Sequence, residues 1–310
     1  MGTEHEIFLP LVYSSQKTLK SSFGAHGIRF GLAVQSSSFR SDIMRPIIER
    51  EAAIVTTENA LTMQSVQAVR GVYHFWEVDA ILGYADKLGV GVHGHTTSWW
   101  GHNPTWLTRG GFSKAELATI LREHISMISH HCYKRLISVD TANEGYLSAG
   151  PWYPLGTDDY IRISFEASKE PRPYPPVVYN SIFDTSWEQE KALVSLNSGL
   201  IDGIGVQLHL ATTMDWEYAL DQMDRFLDRM QRRGDWVRLS EVGVRQQNDG
   251  ESEQQAIIYA AVARLAVRYS DIVRDLVVWG VIPPMWRGDV GLWDSNGNPK
   301  PSYYAVMEAL

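Results

Sequence analysis

The sequence predicts an α/β fold, a single (β/α)8 TIM barrel, and three observations carry that expectation. Short β-branched runs alternate with amphipathic helical stretches along the chain, the arrangement of repeated βα units around a parallel sheet. Eight such strand-like runs can be read, the number that a closed parallel barrel requires. Several of them end in polar residues, as strands do where their C-terminal ends open onto a cleft. Length permits this without deciding it, because 310 residues with 44% hydrophobic content can bury one large core or two smaller ones. One domain over 1–310 is the simpler reading, since the chain has no internal repeat, low-complexity tract or composition shift.

Taken in order, the strands fall at 30–34, 53–57, 90–95, 136–140, 177–180, 203–209, 237–241 and 276–279. Between the second and third, Phe75, Val78, Ile81, Leu82, Ala85 and Leu88 recur at helical spacing, and Gly89 stands where a left-handed cap would end the helix. Ser113 and Glu116 form a capping-box pair ahead of Leu117, Ile120, Leu121, Ile125 and Ile128. Pro171, Pro173, Pro175 and Pro176 stiffen the loop into the fifth strand and do not mark an interdomain linker. Trp216, Leu220, Met223, Phe226, Leu227 and Met230 make one further apolar face, and Ile258, Ala261, Val262, Leu265 and Tyr269 another. A closing helix is expected over 302–310.

Composition removes several classes of function. A net charge of −8 without a Lys/Arg stripe argues against a nucleic-acid partner. Cys132 is the only cysteine, so neither an intrachain disulfide nor a cysteine metal cluster can form. No run reaches the ~18 apolar residues of a membrane span. Phosphate-binding and serine-nucleophile signatures are absent. His93 and His95 share a strand, but no HExxH spacing accompanies them, so no metal and no cofactor are expected. His130 and His131 read as the end of a helix. Eleven tryptophans, several beside Gly, His, Asn or Pro, suit flat apolar faces such as those of sugar rings, with core packing accounting for about half.

The polar residues at the strand ends are Glu58, Asn59, His95, Trp99, Asn143, Glu144, Asn180, Gln207, His209, Glu241 and Trp279. Glu144 and Glu241 each close an apolar run, a poor place for an acid whose only role is packing. A pair of carboxylates over one cleft is the equipment of glycoside hydrolysis: one delivers a proton to the leaving oxygen and the other attacks the anomeric carbon. Asn143 and His95 are candidates for hydrogen bonds to the sugar hydroxyls. Taken singly, either glutamate could be a cap or a surface acid, and either histidine a core residue bonded to a carbonyl. Their joint placement favours the site.

In order and spacing the chain resembles glycoside hydrolase family 10, the endo-β-1,4-xylanases. The likeness runs from about Phe30 to the C-terminus and leaves an N-terminal extension of about 25 residues. It rests on Thr57-Glu58-Asn59, Gly94-His95-Thr96 with Trp99 and Pro104-Thr105-Trp106, Asp140 through Glu144, Val178-Tyr179-Asn180, Gly203 through Leu210, Leu239-Ser240-Glu241-Val242, Val278-Trp279-Gly280 and Pro299 through Tyr304. The resemblance implies Glu144 as acid/base and Glu241 as nucleophile. It implies Glu58 and Asn59 against the sugar one unit beyond the cleavage site on the non-reducing side. His95, Trp99, Asn143, Gln207 and His209 would line the subsite at the cleaved bond, with Trp279 and Trp286 as its aromatic platform.

The chain departs from the family pattern at several places. Thr62 stands where the family carries a substrate-binding lysine, Trp100 where it has histidine, and Gly243 where an aspartate supports the site histidine at the position of His209. Ser181 and Ile182 replace Asp and Tyr, and Ile282-Pro283-Pro284 replaces Thr-Asp. The expected activity is retaining hydrolysis of xylan, with a β-linked polysaccharide or oligosaccharide as the partner molecule and the protein a monomer. The alternatives are the same mechanism on a different β-linked glycan or glycoconjugate, and a carbohydrate-binding protein without turnover. Residues 1–12 have neither the basic start nor the long apolar stretch of a leader. A polymer substrate makes an extracellular location, after leader removal, the expectation, with a cytoplasmic one as the alternative.

Overall fold

The computed structural model describes residues 17–147, 150–182, 186–248, 250–283 and 288–310. Eight parallel strands form a closed ring: β1 (Arg29–Ala33), β2 (Ile54–Thr56), β3 (Gly91–Gly94), β4 (Ser138–Asn143), β5 (Val177–Ser181), β6 (Gly203–Ala211), β7 (Val237–Arg245) and β8 (Val273–Val278). Around the ring the order is β3-β2-β1-β8-β7-β6-β5-β4, and His93 beside Ser138 and Gly94 beside Val139 close it. A further two-residue strand, Ser98–Trp99, pairs with Ala142 and Asn143 at the top of β4. The result is a (β/α)8 barrel.

Each strand occurs where its β-branched run predicts it, with shifted ends. The fourth starts at Ser138, not at residue 136, because Tyr133–Arg135 first make a turn of 3-10 helix. It then runs on through Asn143. β6 and β7 stay paired as far as Ala211 and Arg245, past the polar residues at which the sequence pattern stops. β8 begins three positions early, at Val273, which pairs with Val237.

The outer helices follow the expected stripes. Trp76–Leu88 buries Val78, Ile81, Leu82 and Ala85 and ends at Gly89, whose φ of 63° is the left-handed cap. Lys114–Cys132 starts with the Ser113/Glu116 box, in which Ser113 Oγ accepts from the Glu116 N–H and Glu116 Oε2 accepts from the Ser113 N–H. Thr157–Ser168, Ser186–Asn197, Trp216–Arg233 and Ser252–Arg268 continue the wall, and Pro301–Ala309 packs on the last of these. The buried Glu51 carboxylate ties the two ends of the fold together, accepting from the Leu19 N–H (2.8 Å) and from the Tyr303 hydroxyl (3.0 Å).

Candidate active site

Glu144 follows directly on β4. Its amide donates to the Asn180 carbonyl at 2.8 Å, and its φ of 54° turns the chain sharply inward. Gly145 comes next because a Cβ there would lie 2.6 Å from Ile161 Cδ1. Glu58, after β2, has φ 41°. A non-glycine residue in this region costs about 1–3 kcal/mol and persists only where its surroundings hold it. Both glutamates are thus aimed by strained backbone at the C-terminal rim of the barrel.

Three N–H donors surround the Glu144 carboxylate. Trp99 Nε1 (3.1 Å) and Trp100 Nε1 (2.7 Å) both donate to Oε2, and Gln207 Nε2 donates to Oε1 at 2.9 Å. Glu241 sits opposite on β7, in register with Gln207 on β6. Asn180 Nδ2 donates to its Oε1 at 2.8 Å, and His209 Nε2 stands 3.2 Å from Oε2. The two acids are linked through Asn143, whose Oδ1 accepts from Asn180 Nδ2 (2.9 Å) and Gln207 Nε2 (3.0 Å). The Asn180 and Gln207 NH2 groups each also serve a carboxylate, and Asn180 Oδ1 accepts from the Ser240 hydroxyl at 2.5 Å; Asn143 turned end for end would instead accept from Trp99 Nε1 at 3.2 Å. The relay needs glycine at 205, where a Cβ would come 2.5 Å from Asn180 Oδ1.

Behind Glu241 lies a buried chain of charge. His95 Nδ1 is 2.8 Å and His93 Nε2 2.9 Å from the same Asp140 oxygen, and His95 Nε2 faces Glu241 Oε1 at 3.9 Å. Burial opposes a charge on His95. The hydrogen bond to Asp140, with the charges of Glu241, Asp140 and Glu144, outweighs it and raises the His95 pKa. His93 goes the other way: burial, assisted by the Arg238 charge, brings it down to about 4. Asp140 is buried too, yet the two imidazoles hold its carboxyl well below the usual carboxylate range. The charged form of His95, favoured by the fold, therefore stabilises the protein below the ordinary histidine pKa, and that contribution fades as pH rises through the raised value. In Asp140→Asn we expect His95 to titrate at lower pH in an NMR titration, because burial then acts with less opposition. We also expect kcat/KM to fall by about 10²-fold from the loss of imidazole positioning. An unchanged His95 titration would break this account.

Glu58 is raised by burial, against a hydrogen bond from Gln35 and the His95 charge, with Glu77 and Glu241 adding to the rise. The cleft that these groups line encloses about 570 Å³. It brings together Glu58, Asn59, His95, Trp99, Asn143, Glu144, Gln207, His209, Glu241 and Trp279 from the sequence-derived set. A neighbouring cavity of about 490 Å³ shares Glu58 and Trp279 and continues past Gln35 and Ile282. Trp286 lies outside the described residues. Trp279 meets His95 edge-on, ring centroids 5.1 Å apart.

Trp100, His102 and Ile182 also line the cleft, and sequence reasoning missed them as site residues. Trp100 and Ile182 were visible only as departures from a pattern, and His102 lies in a loop without periodicity. The Thr62 hydroxyl, at the lysine position, is 2.6 Å from His102 Nδ1 and 2.8 Å from the Asn59 carbonyl oxygen, so it braces the loop that presents Asn59. Gly243 lies beside His209 in register, and a Cβ there would sit 3.9 Å from His209 Nδ1. Among the described residues no cluster of His, Cys, Asp and Glu is arranged to hold a metal ion, and no helix is long and apolar enough to cross a membrane.

Residues 18–309 match the family model for glycosyl hydrolase family 10, which makes the protein a glycoside hydrolase. Over 292 residues it is 26% identical to endo-1,4-β-xylanase B of Thermotoga neapolitana, covering 85% of this chain and 82% of that protein. Over 215 residues it is 28% identical to endo-1,4-β-xylanase 2 of Claviceps purpurea, covering 65% of this chain and 66% of that protein. The crystal structure of xylanase 10B from Thermotoga petrophila RKU-1 in complex with xylobiose superposes with a TM-score of 0.85 at 26% identity, over 94% of this chain and 97% of that one. The chain belongs to glycosyl hydrolase family 10.

Proposed function

We propose that the protein is a retaining β-glycosidase acting within β-1,4-xylan, with Glu144 as acid/base and Glu241 as nucleophile. The observation that carries this reading is that two carboxylates line one cleft, each held by side-chain N–H groups and linked to the other through Asn143, Asn180 and Gln207. Glu241, with the Asn180 amide donating to its Oε1 and the His209 and His95 rings 3.2 and 3.9 Å away, is the carboxylate that attacks the anomeric carbon. Glu144 donates its proton to the glycosidic oxygen as Glu241 attacks, giving a covalent glycosyl-enzyme. It then takes a proton from the water that resolves the intermediate. Retaining chemistry expects the two carboxyl groups about 5–5.5 Å apart. Asn59, Glu58 and Trp279 would hold the non-reducing side of the substrate, and His95 and Asn143 its hydroxyls.

Trp100 and Ile182 make the wall more apolar than the family pattern, and Thr62 beneath it supplies no lysine; these departures favour a second reading: the same mechanism on a different β-linked glycan or glycoconjugate. A panel of xylan, β-glucan, mannan and aryl β-xylobioside, with products separated by chromatography, distinguishes the two. On whichever substrate is turned over, Glu144→Ala with added azide is expected to give a β-configured glycosyl azide, because the small anion attacks the glycosyl-enzyme without base assistance. An α-configured product would overturn retention and, with it, the role of Glu241.

A further inference from the structure

Glu144 carries more hydrogen bonds than a proton donor can keep. A carboxyl oxygen that bears a proton is a poor acceptor, yet Oε2 receives two indole N–H groups, at 2.7 and 3.1 Å, while Oε1 is taken by Gln207. Before Glu144 can present an O–H to a glycosidic oxygen, one of these donors must leave. Trp99 is the more confined ring: it is half-buried, and its indole lies against Gly101, where a Cβ would come 3.1 Å from three of its ring atoms. Trp100 is the donor that can yield. Its side chain is in the cleft and the residue is 42% exposed, against 9% for Trp279. Its main chain stays anchored, with Asn103 Nδ2 on its carbonyl at 2.9 Å, so the ring can turn while the loop holds.

The position of that ring says what would turn it. Both indoles reach the oxygen that faces the leaving group, but Trp99 is held against the top of β4 beside Asn143, whereas Trp100 is the more exposed of the two and stands further out along the cleft. Among the described residues the other exposed apolar side chain lining the cleft is Ile182, which offers no ring face. Resting on the assignment of Glu144 and Glu241 above, we propose that Trp100 is the platform for the leaving-group sugar and also the latch on Glu144. The sugar's apolar face stacks on the indole, draws its N–H off Oε2 and releases that oxygen for proton transfer. Occupation of the leaving-group site is thereby coupled to competence of the acid. Among the described residues, the titratable groups around Glu144 in the cleft are His95 just past β3, Glu58 after β2, His102 from the loop that carries Trp100, Tyr160 from the helix Thr157–Ser168, and Glu241 and His209 from β7 and β6.

The test is the pH dependence of hydrolysis of a linear β-linked oligosaccharide, taken from the substrate panel, by wild type, Trp100→Phe and Trp100→Ala. The alkaline limb of kcat/KM reports the free enzyme and that of kcat the complex. In wild type the kcat limb should lie above the kcat/KM limb. In Trp100→Phe, which keeps a ring and loses the N–H, the kcat/KM limb should rise by about one pH unit, the scale of one hydrogen bond to a charged group. It should then meet an unmoved kcat limb, with KM within about twofold. Trp100→Ala should show the same limb shift and a KM raised by on the order of tenfold, because the stacking face is gone. Unmoved limbs in Trp100→Phe overturn the latch, and an unchanged KM in a folded Trp100→Ala overturns the platform. Should Trp100→Ala fail to fold by thermal unfolding, the KM of Trp100→Leu decides the platform instead. Wild-type turnover in Glu241→Gln would sink the site assignment itself, whereas a dead Glu241→Gln beside an unmoved Trp100→Phe profile sinks only the inference about Trp100.

Discussion

Glu241→Gln is expected to lower kcat/KM by on the order of 10⁴-fold or more, the scale seen when a hydrolase loses its nucleophile or a partner acting with it. The amide is nearly the same size as the acid, so the barrel should be undisturbed. On the mechanism proposed above, what disappears is the carboxylate that attacks the anomeric carbon, at a position where the Asn180 amide donates to it and the His209 and His95 rings stand 3.2 and 3.9 Å away. Oligosaccharide binding, measured by calorimetry, should survive because Asn59, Glu58 and Trp279 are untouched. Loss of turnover with retained binding is the signature of a group acting in the transition state. Glu144→Ala should differ: an aryl glycoside with a good leaving group still loads Glu241, and only the second step becomes slow. A residual rate within tenfold of wild type in Glu241→Gln would move the nucleophile elsewhere, and among the described residues the other acids lining the cleft are Glu58 and Glu144.

The largest expected effect on stability lies at the N-terminal ends of the strands. Asp275 accepts from Arg238 Nε at 2.6 Å and from Arg29 Nε at 2.5 Å, and the Asp275 and Arg238 side chains are fully buried. Arg29 is 42% exposed along its side chain and can turn to water, but Arg238 cannot. Its Nη1 and Nη2 atoms already lack hydrogen-bond partners among the described residues. Asp275→Ala would leave that guanidinium as an uncompensated charge, costing about 3–5 kcal/mol, a large share of the stability of an ordinary domain. Urea unfolding at neutral pH measures it, and a loss below about 1 kcal/mol would mean that Arg238 is satisfied by other means. Burial pushes the Asp275 carboxyl up, but the Arg238 and Arg29 charges prevail and lower its pKa. The carboxylate therefore contributes above the ordinary aspartate pKa and is lost as pH falls through the lowered value. The gap between wild type and Asp275→Ala should close over that acidic range.

All eight strands were legible because a strand buried on both faces must be a short apolar, β-branched run, and such runs recur at 30–34, 53–57 and onward. Their ends were less legible. Ladder pairing carries β6 and β7 on to Ala211 and Arg245, and no local signal reports a partner strand. The cleft residues at strand ends, from Glu58 to Trp279, could be collected from position alone, because in a parallel barrel every C-terminal strand end opens to the same side. His102 and Ile182 could not, being loop and strand-exit residues without a periodic or motif signal.

The sequence by itself determined the alternation that makes a barrel, the capped helices at Ser113 and Gly89, and the presence of two acids at strand ends. These are local matters of periodicity, backbone freedom and side-chain type. Tertiary structure alone decided that Asn143, Asn180 and Gln207 would join Glu144 to Glu241, that Asp140 would serve two imidazoles, and that Trp100, a residue out of pattern, would place its N–H on Glu144. Hydrogen-bond partners from different strands are chosen by register and closure of the ring, which no stretch of chain encodes without the strands beside it.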